Sequence, residues 1–146
     1  MASRVLALAL IALTVMISAC GKTTYKDVGH EPGSRELIGT TYTVVRPLTA
    51  YGIREHSKAA IEYFTLIPPP GIAGSEVGSR VPIAIGSTLT VISVYETNRL
   101  LDPSVTLGVK LNGAALPENL PVRLDLMRGN EGVDRLGLNS AIFEKR

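Results

Sequence analysis

Along this chain the apolar positions fall into short runs, alternating or continuous, that are separated by turn residues, which is the pattern of β-strands rather than helices. In LIGTTYTVV (37–45), Ile38, Tyr42 and Val44 share one face with threonines between them, and Pro47 ends the run because it has no N–H for a ladder. LTAYGIREHSKAA (48–60) lacks such alternation and reads as irregular or briefly helical. IEYFTLI (61–67) is apolar and aromatic and predicts a mostly buried strand. The strongest strand signal is IAIGSTLTVISVYET (83–97), with Gly86 marking a bend or bulge near its start. VTLGVKL (105–111) and VRLDLM (122–127) alternate apolar with polar residues, so each has one wet face and the two should pair antiparallel. LGLNSAIF (136–143) supplies a short closing strand.

Two segments break the pattern. GKTTYKDVGHEPGSRE (21–36) is polar and interrupted by Gly29, Pro32 and Gly33, which predicts a flexible tether. PPPGIAGSEVGSRVP (68–82) holds four prolines and three glycines, and a loop of that length in a compact domain is often functional. Five or six short strands between such turns predict an all-β fold, a small SH3-like or Greek-key barrel or a compact sandwich, over residues 37–146.

Ahead of the tether, Arg4 is the only charge before Lys22, and Val5 to Ala19 is apolar apart from Thr14 and Ser18. A spanning helix needs about twenty apolar residues, so this shorter run reads as an export signal. Its end, Ile17-Ser18-Ala19-Cys20, resembles the lipobox of bacterial lipoproteins, although Ile17 stands where leucine is commoner. The resemblance covers residues 1–20. It implies cleavage before Cys20, a lipid on the Cys20 thiol and acylation of the new amino terminus. One acyl chain holds a protein only marginally, whereas two or more anchor it firmly. The organisation expected is therefore a signal peptide (1–19), a lipidated start and tether (20–36) and one β domain (37–146). Gly21 is not the Asp that retains such proteins in an inner membrane, which implies, for an organism with two membranes, an outer-membrane position facing the periplasm.

Composition narrows the chemistry. Without Arg4, fourteen basic residues face thirteen acidic ones, and they are scattered, so no electrostatic footprint for nucleic acid is present. Cys20 is the sole cysteine, which leaves no disulfide and no free thiol after acylation. His30 lies in the tether, and His56, between Glu55 and Ser57, is the one histidine of the domain. That is too few ligands for a metal site, and it reads as a polar loop rather than part of a catalytic triad. GIAGSEVG (71–78) lacks both the Gly-Lys-Ser/Thr end of a phosphate loop and the spacing of a dinucleotide turn. What remains is a groove in which Tyr51, Tyr63, Phe64 and Tyr95 flank the stiff run around Pro69.

These features together predict a non-catalytic, cofactor-free binding or structural module, held to the bacterial cell envelope through Cys20, with an envelope protein or peptidoglycan as partner. Two alternatives stay open. One is a small hydrolase using two of Glu62, Glu76, Glu96 and Asp102, which lie on separate elements. The other is a solute-binding β-barrel, for which about 110 residues is small.

Overall fold

The structure, a computed structural model, describes residues 23–98, 105–126, 133–134 and 137–146. The strands, in chain order, are β1 (Tyr25–Asp27), β2 (Thr41–Val44), β3 (Leu48–Ile53), β4 (Tyr63–Ile67), β5 (Val77–Ile83) and β6 (Thr88–Thr97). They continue with β7 (Val105–Asn112), β8 (Val122–Leu126), β9 (Val133–Asp134), β10 (Gly137–Leu138) and β11 (Phe143–Lys145), and one helical turn, α1 (Pro32–Arg35), lies between β1 and β2. Nine strands form one sheet in the order β11-β2-β6-β7-β8-β4-β3-β5, with β1 also paired to β6, while β9 and β10 form a separate pair. All pairings are antiparallel except β4 with β8.

The all-β expectation holds, but the strands are more numerous than five or six and the sheet is open, not a closed barrel. The difference arises at elements without alternation. β3, in the stretch read as irregular, buries Leu48, Ala50, Tyr51 and Gly52, so both of its faces are covered and no period of two survives in the sequence. β5 emerges from the long loop, where Gly78 and Pro82 obscure a strand that pairs with β3 from Leu48↔Ile83 to Ile53↔Val77. Ile83 closes β5 rather than opening β6. The chain then turns at Gly86 (φ +93°), a conformation that favours glycine, and β6 starts at Thr88.

The tether expectation is corrected as well. Tyr25, Lys26 and Asp27 pair with Thr97, Glu96 and Tyr95, and Thr41 to Thr43 pair with Thr90 to Thr88 on the same edge of β6. β1 and β2 thus lie end to end, as one strand interrupted by the excursion through α1. Backbone bonds from Val28 N–H to the Val94 carbonyl (2.9 Å) and from Gly39 N–H to the Val91 carbonyl (2.8 Å) close the two ends of that excursion. Val28 enters the core, so the folded domain begins near Tyr25.

The core is built on one face of β2, β4, β6, β7 and β8 and is joined by Leu48 and Ala50 of β3, Ile83 of β5, Leu138 of β10 and Phe143 of β11. In β6, Leu89, Val91 and Val94 are all buried, although strict alternation cannot put both 91 and 94 on one face. A bulge between Val91 and Ser93 resolves this by taking up Ile92, which is left 58 % exposed. Beyond the bulge, Val94, Leu107 and Leu124 align across β6, β7 and β8. The expected antiparallel pairing of β7 with β8 is present, from Val105↔Leu126 to Val109↔Val122.

Candidate functional site

The opposite face of the same strands carries a half-buried aromatic and charged cluster. The alternation that buries Leu107 and Leu124 sends Thr106, Arg123 and Asp125 to the other side. The Arg123 guanidinium lies 4.2 Å from the Tyr25 ring centre and 4.3 Å from that of Tyr63, held between the two by cation–π attraction. Tyr95 meets Tyr25 edge to face, with centroids 6.2 Å apart and planes at 82°. Thr106 Oγ1 donates to Asp125 Oδ1 at 2.6 Å, which fixes the carboxylate. β1, β4, β6 and β8 are joined through side chains here as well as through the sheet.

Beside this cluster a cavity of about 580 Å³ is walled by Tyr63, Asp125, Ile67, the run Pro68 to Pro70 and Ile72, with Glu76 also in its lining. The loop that forms its rim is pinned from behind. Gly71 N–H bonds to the Pro68 carbonyl at 3.0 Å, and Gly71 has φ +79° with Tyr51 packed so close that a Cβ would collide with the hydroxyl. Arg80 lies 5.9 Å from the Tyr51 ring centre and donates to the Ile72 carbonyl at 3.4 Å, while Arg54 Nε donates to the Ser75 carbonyl at 3.2 Å. A second cleft of about 810 Å³ runs under residues 113–121 and is lined by Tyr95, Lys110, Glu118 and Arg123 among others.

Of the groove residues expected from sequence, Tyr63 and Pro69 are brought together in the 580 Å³ cavity. Phe64 points the opposite way, into the core, and Tyr51 supports the rim from behind. Tyr95 lines the second cleft and reaches the first only through the chain Tyr25, Arg123 and Tyr63. Cys20, like Asp102, lies outside the described residues. Tyr25 escaped the sequence reading because it sits in the presumed tether. Arg123 and Asp125 were legible as a pair on one wet face, but nothing marked that face as a site.

Glu76 and Asp125 share the cavity, whereas Glu62 and Glu96 are exposed elsewhere. His56 is exposed, and among the described residues no group of His, Cys, Asp or Glu is placed to hold a metal ion. No helix among them is long and apolar enough to cross a membrane. No protein-family model matches this chain, and neither the curated proteins nor the solved structures contain a match to it.

Burial raises the Tyr63 phenol above its ordinary pKa of 10.0, and the Tyr25 and Asp125 neighbours add to this while Arg123 opposes it. Tyr63 therefore stays a neutral hydrogen-bond donor at physiological pH. Because the folded chain holds this proton more tightly than the unfolded one, the stabilisation is complete below pH 10 and is lost as pH rises through the raised value. Thermal melts should show an alkaline decline in stability that is shallower in Tyr63→Phe. Equal declines in the two proteins would place its origin elsewhere.

Proposed function

We propose that the chain is a lipid-anchored, non-catalytic module of the bacterial cell envelope that binds another envelope component in the cavity between Tyr63 and the proline run. The anchor rests on the resemblance of Ile17-Ser18-Ala19-Cys20 to a lipobox. The binding reading is carried by one observation, the cavity itself. Its volume falls in the range of ligand sites, and its stiff apolar wall faces a small number of fixed polar groups. Stiff walls lose little conformational entropy on binding, which favours recognition over mere packing.

The anchor is tested by the intact mass of the membrane-fraction protein, alongside Cys20→Ser. The expected result is a chain that begins at Cys20 with added acyl mass, and a variant that gives no membrane-held mature form. An unmodified wild-type mass would sink the anchor. For binding, a photo-crosslinking residue at Pro69 should give a discrete adduct in cells, while the same group at Ile85, an exposed apolar position in a turn, should not. Identical adducts at both positions would mean surface stickiness instead of a site.

A further inference from the structure

Resting on that binding reading, we infer that the cavity takes a cation on an apolar stem: a lysine or arginine side chain within a short apolar segment of a partner protein. The cavity complements such a side chain in charge. Among the described residues of its lining, the charged groups are Glu76 and Asp125, both acidic, and the remaining wall is largely aliphatic and aromatic.

Nearby cations lie outside the lining and already have partners. Arg123 is held between Tyr25 and Tyr63, Arg80 is spent on the Tyr51 ring and the Ile72 carbonyl, and Arg54 donates to the carbonyls of Ser75 and Val77. Asp125 has one oxygen bonded to Thr106, which sets the orientation of the carboxylate and leaves its second oxygen to accept from a ligand. Tyr63, whose phenol is held protonated by burial, adds an aromatic wall without adding charge. Such a wall accepts the methylene stem of lysine or arginine against Ile67, Ile72 and the prolines while the head meets Asp125, as long cationic side chains do on apolar surfaces. An anionic or purely apolar segment would leave a carboxylate desolvated and unpaired.

The test is a titration of the mature chain in detergent with three capped peptides, acetyl-Leu-Lys-Leu-amide and its Gln and Glu counterparts. The lysine peptide should bind about tenfold more tightly than the glutamine peptide, the size of one charge-assisted hydrogen bond, and the glutamate peptide should bind least. Asp125→Asn, which keeps an oxygen for Thr106, should bring the lysine and glutamine peptides within about threefold of each other. Glu76→Gln, at an exposed position, should narrow the gap by a smaller factor and supplies the variant arm if Asp125→Asn does not fold. Equal binding of all three peptides, no binding of any, or lysine selectivity that survives in the variants would overturn the inference. The Pro69 adduct is independent of ligand charge, so its presence with a failed peptide series would leave the binding reading standing and remove only the cation.

Discussion

Leu107→Ala should lower the free energy of unfolding by about 3–4 kcal/mol, read as a fall in the denaturant midpoint with an unchanged slope. Leu107 is 0 % exposed at the middle of the row Val94, Leu107 and Leu124, and its neighbours belong to three hydrogen-bonded strands that cannot close in on a void. The cost therefore has two parts, the lost transfer energy of the side chain and the cavity left behind. Against a total stability of about 5–15 kcal/mol such a loss is large enough to leave a marginal domain partly unfolded. Leu107→Met, which roughly conserves volume, should cost less than about 1.5 kcal/mol. Lys110→Ala, on an exposed position of the same strand, should stay within about 0.5 kcal/mol. A small effect of Leu107→Ala would move the centre of the core away from this row.

Gly108→Val should destabilise by about 2–3 kcal/mol from the opposite face of the same strand. A Cβ at Gly108 would collide with Ser93 Oγ and approach the Tyr95 ring to 3.5 Å. The absence of a side chain at this position makes room for Ser93 and Tyr95, and Tyr95 in turn braces Tyr25. The cost is steric: valine is a favoured strand residue, so propensity works in its favour. Near-ultraviolet circular dichroism should show a weaker tyrosine signal. Adding Ser93→Gly should recover part of the loss, since it removes the nearest collision. Full stability in the single variant would mean that the Tyr95 ring has room to spare.

These two positions show how far the chain could be read in advance. β7 and β8 were legible because their sequences alternate apolar with polar or small residues, although Thr106 and Gly108 of β7 are themselves buried and only its Lys110 end meets water. β3 was not, because it is covered on both faces, and β1 was not, because Tyr25-Lys26-Asp27 has no apolar period of its own and becomes a strand only by pairing with the edge of β6, some seventy residues away. At the site, the meeting of Tyr63 with the prolines follows from the strand running directly into them. Placing Phe64 in the same groove conflicted with the period of two, which sends adjacent residues to opposite faces. The separation of Tyr51 and Tyr95 from the cavity depends on strand order. The parallel contact of β4 with β8 sets that order, and no local pattern announces it.

The docking of β1 also bears on how freely the domain could roam. Thr24 N–H already bonds to Asn98 Oδ1 at 2.9 Å, so with a lipid on Cys20 only four residue steps separate the anchor from the folded body. Fully stretched, they reach about 14 Å, less than half the thickness of a bilayer's hydrocarbon core. On so short a leash the domain would hover just above the headgroups, keeping the β1 end of the sheet lowermost. A partner would have to be met within a thin layer along the surface, where encounter is a search in two dimensions and distant structures lie out of reach.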